Sequence, residues 1–127
     1  MGGYNVKMKI GTDIVQIQRI ETAVEKFGEK FLRRFLNEEE IATLGHKPES
    51  LAGYWAAKEA IAKALGTGIG AEVGFHDIHL NKDSRGAPRF ALSAQIQEAF
   101  GVEGGSLSIS HDGGFAIAVV AIEDAQK

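Results

Sequence analysis

The sequence predicts an α+β fold: an antiparallel sheet with helices packed on one face. Three observations predict it. One strand-like segment comes first, helices follow, and the later strands are interrupted by a single helix. The links between the later strands are short and turn-like, as in hairpins. The strict strand–helix–strand alternation of a doubly wound fold is absent.

The elements follow from apolar spacing and turn chemistry. Residues 9–15 (KIGTDIV) read as a buried strand with a carboxylate, Asp13, near its end. Ile17, Ile20, Val24, Phe27, Phe31, Leu32 and Phe35 recur in steps of three and four, so residues 17–35 read as one helix with Gly28 as a weak point. Asn37 followed by Glu40 resembles a capping box and starts a short helix through Leu44. Residues 48–65 form the clearest helix. Six alanines between Ala52 and Ala64 raise its propensity and permit close approach by neighbours, and Gly66 ends it. Residues 75–80 and 88–92 read as strands joined by the polar turn 81–86. Ser93 caps a helix through Phe100, and residues 106–111 and 115–122 pair around Asp112-Gly113-Gly114.

With 127 residues the chain suits one domain and one core. Residues 1–7 (MGGYNVK) read as a cloning remnant before a second methionine, leaving 8–127 as the domain. The net charge of −3 argues against general nucleic-acid binding. No apolar run reaches membrane-spanning length, and no secretory signal is visible. The absence of cysteine excludes disulfides and thiolate chemistry, and fits a reducing, cytoplasmic compartment.

Among residues able to carry chemistry, Asp13 and Glu59 stand out. Asp13 interrupts an apolar strand, and a buried carboxylate calls for a partner or a metal. Glu59 lies in the alanine-rich helix. Two carboxylates from different elements suit magnesium, which takes few protein oxygens and completes its shell with water and phosphate. The plainer alternative is a pair of salt bridges, Glu59 with Lys63 at i, i+4 and Asp13 with Arg19. Gly66-Thr67-Gly68-Ile69-Gly70 follows a helix instead of preceding one, so the local dipole repels anions. A phosphate there would rely on Lys63 and a metal; a helix cap with a turn is the alternative. His111 ends a strand beside a Gly-Gly turn, as a base, a phosphate donor or a satisfied strand-end histidine. His76 and His79 fall on opposite faces of a strand, which excludes a shared zinc. No serine triad is visible. Residues 19–34 carry five cations, including Arg19, Lys26 and Arg33, against three glutamates. Such a basic helix on an acidic chain suits an acidic partner or, alternatively, a solvated face laced with ion pairs.

Together these segments resemble the holo-acyl-carrier-protein synthase family of phosphopantetheinyl transferases. Residues 10–15 with Arg19-Ile20 resemble its first motif. Residues 51–60 (LAGYWAAKEA) followed by 63–70 (KALGTGIG) resemble its second, and Gly86-Ala87-Pro88 and residues 108–111 resemble later landmarks. The resemblance runs from Met8 to about Glu123. It implies the 4′-phosphopantetheinyl transferase-like fold and transfer of phosphopantetheine from coenzyme A to a serine of acyl carrier protein, releasing adenosine 3′,5′-bisphosphate, in support of fatty acid biosynthesis. It implies magnesium, with manganese as a substitute, on Asp13 and Glu59. It places Lys63, Gly66, Thr67, Gly68, Pro88 and His111 around coenzyme A, and Arg19, Lys26 and Arg33 against the carrier. Asp13, Glu59 and Lys63 would be catalytic, and the serine proton would pass to Glu59, Asp13 or a water on the metal. It also implies a homotrimer with sites between subunits. The apolar face of helix 48–65 and the run 115–120 are the surfaces expected to meet a neighbour. Two positions depart from the pattern: Tyr54, where relatives often carry arginine, and Asp112, where a small hydroxyl residue is common. Two other classes fit the residues less fully, a coenzyme A or nucleotide-binding module without catalysis and a structural subunit that docks an acidic protein.

Overall fold

A computed structural model describes residues 5–126. Strand β1 (Asn5–Gln16) leads into helices α1 (Ile17–Phe27), α2 (Glu29–Phe35), α3 (Glu38–Leu44) and α4 (Pro48–Ala64). A 3-10 turn (Phe75–Asp77), strands β2 (Ile78–Lys82) and β3 (Pro88–Leu92), helix α5 (Ala94–Phe100) and the hairpin β4 (Val102–Asp112)–β5 (Phe115–Gln126) follow. The antiparallel α+β expectation holds, but the strands form two sheets, β1-β5-β4 and β2-β3. Of the segment read as a cloning remnant, residues 1–4 lie outside the described residues. Residues 5–7 run on as the start of β1, opposite residues 124–126.

The expected helix over residues 17–35 is two helices. Gly28 takes φ 57° and ψ −137°, a conformation open to glycine, and the axis turns there. Phe31, Leu32 and Phe35 then point into the core, while Phe27 is left exposed. The capping box of α3 is present: the Asn37 Oδ1 accepts from the Glu40 amide and the Glu40 Oε1 accepts from the Asn37 amide, both at 2.8 Å.

Residues 75–77 do not extend the strand that was expected to begin there. The Asp77 carboxylate accepts from the Gly74 amide at 2.9 Å and the Asp77 amide donates to the Gly74 carbonyl, which curls the segment. His76 and His79 consequently belong to different elements. His76 Nε2 lies 2.8 Å from the Arg33 carbonyl, and His79 Nδ1 lies 2.9 Å from the Asn37 Nδ2.

Helix α4 is the centre of the molecule. Its alanines let β1 and β5 pack closely, α1 also lies against it, and through Lys58 and Trp55 it meets α2, α3 and the 3-10 turn. Lys58 is fully buried there. Its ammonium donates to the Phe35 carbonyl (2.7 Å), the Glu40 Oε1 (2.9 Å) and the Phe75 carbonyl (3.3 Å). Glu40, also buried, accepts from the Leu80 amide at 2.7 Å. Burial pulls the Lys58 pKa down, and the bond to Glu40 opposes that. An aromatic cluster of Phe31, Phe35, Trp55 and Phe75 packs beside the pair.

The far face of the three-stranded sheet is uncovered. In β5 the buried Ala116, Ala118 and Val120 alternate with the exposed Phe115, Ile117 and Val119. Ile10 and Ile14 of β1 extend this exposed face, at 64% and 58% exposure. Among the described residues, the large exposed apolar side chains other than Phe27 lie on the sheet. The alanine-rich face of α4, expected to help meet a neighbour, is already covered within the chain.

Replacing Lys58 with Met would leave the Glu40 carboxylate buried without its cation. Loss of one partner of a buried pair costs about 3–5 kcal/mol. Urea unfolding of Lys58→Met should show a loss of that size. A loss below about 1 kcal/mol would mean the pair does not hold α3 and β2 to α4.

Candidate active site

The site begins at Gly11. A side chain there would overlap the Ala60 carbonyl oxygen, and its Cβ would stand 2.9 Å from the Ala64 amide nitrogen. Without one, β1 lies directly on the backbone of α4. Strand alternation turns Asp13 to the same side as Gly11, towards α4. There the Lys63 ammonium donates to Asp13 Oδ1 at 2.8 Å and to the Thr12 carbonyl at 3.3 Å. The Asp13 side chain is 14% exposed and that of Lys63 is 53% exposed, so the pair sits at the mouth of the contact.

Glu59 completes the group. Partial burial pushes its carboxyl above the usual glutamate range, the Asp13 charge pushes it further, and Lys63 opposes both. The Lys63 ammonium is held above its ordinary pKa, first by the hydrogen bond to Asp13. Neither expected salt bridge forms: Lys63 turns to Asp13 across the helix–strand contact instead of to Glu59 on its own helix. The arrangement fits a hard divalent cation. Two carboxylates from separate elements converge and repel one another, and no hydrogen bond from the described residues satisfies Glu59. Among those residues there is no cluster of three or more metal-binding side chains. Magnesium accepts such a sparse donor set because water and phosphate complete its shell.

The other expected site residues divide into two groups. Gly66, Thr67 and Gly68 adjoin Lys63 at the end of α4. Their amides are already engaged, Gly66 with the Lys63 carbonyl and Thr67 and Gly68 with that of Ala62. They cap the helix, which leaves Lys63 as this segment's cation for an anion. His111 and Pro88 are elsewhere in the chain. His111 lies across β5 from β1, opposite Ala116, whereas Asp13 is opposite Ala118. It lines a cleft of about 610 Å³ with Glu21, Glu49 and Asp112. Pro88 lines a groove of about 420 Å³ between β3 and β4. Asp13 and Glu59 line neither. Within one chain, then, the Asp13–Glu59–Lys63 group and two of its expected companions line different surfaces.

Tyr54 does not face the trio. It is buried on the Glu40 side of α4, and burial followed by the Glu40 charge raises its hydroxyl pKa. On the basic helices Arg19 and Lys26 are exposed on α1. Arg33, on α2 beyond the Gly28 turn, is engaged by Glu29 at 3.3 Å and Glu38 at 3.0 Å, which offsets its charge. Sequence reading passed over Gly11 and the Thr12 carbonyl. A glycine in an apolar strand two residues before a carboxylate was the available signal for the first.

The chain is similar to known proteins over most of its length. The sequence model of the 4′-phosphopantetheinyl transferase superfamily matches residues 9–120. The holo-acyl-carrier-protein synthase of Sulfurovum sp. (strain NBC37-1) is 60% identical over 116 residues, 91% of this chain and 97% of that protein. That of Wolinella succinogenes is 59% identical over 114 residues, 90% of this chain and 96% of that protein. The crystal structure of Helicobacter pylori holo-acyl-carrier-protein synthase in complex with coenzyme A superposes with a TM-score of 0.87 at 50% identity, covering 89% of this chain and 98% of that one. The Neisseria meningitidis enzyme superposes at 0.80 with 39% identity, covering 94% of this chain and 98% of that one.

Proposed function

The chain belongs to the 4′-phosphopantetheinyl transferase superfamily and to its holo-acyl-carrier-protein synthases, and from that premise we propose that it transfers 4′-phosphopantetheine from coenzyme A to a serine of apo-acyl carrier protein, with magnesium held by Asp13 and Glu59. The observation that supports this most is the convergence of two carboxylates and a lysine from two elements that Gly11 brings together.

The serine oxygen forms a bond to the phosphorus nearer the pantetheine. The bond from that phosphorus to the bridging pyrophosphate oxygen breaks, and adenosine 3′,5′-bisphosphate leaves with the electron pair. The serine proton passes to a base at the site. Phosphoryl transfer asks the protein mainly for positioning and for stabilisation of developing charge. A bound magnesium would supply the largest share of that charge stabilisation at the pyrophosphate. Asp13 and Glu59 would hold it, and Lys63 would add a positive charge on the same side. Manganese suits the same oxygen donors. Arg19 and Lys26, exposed on α1, offer positive charge to an acidic carrier, with Arg33 already partly neutralised. The same reading assigns the reaction to fatty acid biosynthesis in the cytoplasm. No helix among the described residues is long and apolar enough to cross a membrane.

The working unit we propose is a homotrimer. The exposed sheet face carries Ile10, Ile14, Ile117 and Val119, with Ile14 directly opposite Ile117, an apolar group of the kind that marks a protein–protein contact. Pro88 and His111 lie apart from Asp13 and Glu59 within one chain, so a neighbour's copies of them would complete the coenzyme A site.

Intact-mass analysis of an apo-carrier incubated with coenzyme A, magnesium and the protein should show a gain of one phosphopantetheine. Asp13→Asn and Glu59→Gln should each lower the rate at least about a hundredfold with the fold retained, manganese should restore activity to chelator-treated protein, and chelator alone should stop it. Full activity in chelator would refute the metal assignment. Coenzyme A binding with no mass gain would point to a binding module.

Light scattering should give the mass of three chains. Ile117→Glu, which puts a charge on the exposed sheet face without touching the core, should yield a folded monomer with little transfer activity. A fully active monomer would end the trimer reading.

A further inference from the structure

Lys63 bonds to Asp13 although a glutamate stands one helical turn before it on its own helix. Its ammonium lies 2.8 Å from Asp13 Oδ1 and 3.3 Å from the Thr12 carbonyl, two oxygens of the strand that carries the proposed metal ligand. Its charge also acts on Glu59, so the ammonium offsets both carboxylates. In the metal-free protein, a divalent cation and this ammonium therefore seek the same negative charge. The lysine side chain is half-exposed and both of its hydrogen bonds run to β1, so breaking them would release it towards solvent.

We propose that Lys63 is a resident cation that holds the Asp13–Glu59 site closed in the absence of metal, and that the incoming divalent ion displaces it from Asp13. This rests on the metal reading above. The displaced ammonium becomes available to a phosphate at the end of α4, where the Gly66, Thr67 and Gly68 amides are already engaged. Metal and a diphosphate-bearing ligand then bind with positive linkage, because the first releases the group that the second uses. The resident ammonium meanwhile offsets part of the repulsion between the two carboxylates.

The test is magnesium binding by the free protein, with neither coenzyme A nor carrier present. Calorimetry gives the affinity, and ¹⁵N NMR of the Lys63 ammonium gives its bonding. In wild type the ammonium signal characteristic of the Asp13 bond should disappear in step with magnesium binding. Lys63→Met, at a half-exposed position and with its fold checked by circular dichroism, should bind magnesium at least about fivefold more tightly, within the usual span of coupling between sites. Magnesium binding that leaves the Lys63–Asp13 signal unchanged would overturn the displacement while leaving the metal reading intact. So would Lys63→Met binding no more tightly than wild type. No magnesium binding by wild type or by Lys63→Met would overturn the metal reading itself, and the displacement with it.

Discussion

The contact of Gly11 with the backbone of α4 at Ala60 governs where the chemistry lies. Side chains normally separate the backbones of a strand and a helix that pack together. Here the strand has no side chain at the crossing and the helix offers alanines, so the two backbones touch. Two residues further along β1, Asp13 is thereby delivered to the flank of α4 that carries Glu59 and Lys63. Any side chain at position 11 would push the carboxylate away from its companions.

Two lysine–carboxylate pairs on α4 show how burial divides structure from chemistry. Lys58 and Glu40 are enclosed, and backbone groups satisfy them as well: Lys58 donates to two carbonyls, and Glu40 accepts from the Leu80 amide. Such a pair has no spare capacity for a ligand, and it fixes α4 against α3 and β2. Lys63 and Asp13 lie at the opposite side of the helix with the lysine half in solvent. Glu59, next in the chain after Lys58, is left short of partners. The fixed pair holds the helix while the open one remains free to change partners.

Much of this was legible in the sequence. The capping box at Asn37 and Glu40, the α4 helix and the β4–β5 hairpin follow from local rules that depend on few neighbours. Asp13 drew notice as a carboxylate in an apolar strand, but the residues alone left Asp13 and Glu59 open between a cation site and two salt bridges, and only the family resemblance pointed to magnesium. What local rules missed was tertiary. The Glu59–Lys63 spacing predicts an i, i+4 bridge, but a third element, β1, supplied a better-placed acceptor. The apolar stripe over residues 17–35 passes smoothly through Gly28, yet core geometry needed a turn there and Phe27 fell outside. The pattern at residues 75–80 suits a strand, and only the Asp77 carboxylate bonding back to Gly74 shows why its first half curls. A site shared between chains, with Pro88 coming from a neighbour, was an expectation from the sequence, because a single small domain encloses a ligand as long as coenzyme A poorly; that His111 lines a cleft without Asp13 was not foreseen.

The most direct measurement is the manganese affinity of Gly11→Ala, read by electron paramagnetic resonance of the free ion on protein whose fold is verified by circular dichroism. If the Gly11 contact assembles the cation site, the folded variant should bind manganese at least about tenfold more weakly than wild type, because a shift of β1 separates Asp13 from Glu59. Wild-type affinity in the folded variant would contradict that assembly, and with it the dependence of the site on the strand–helix contact.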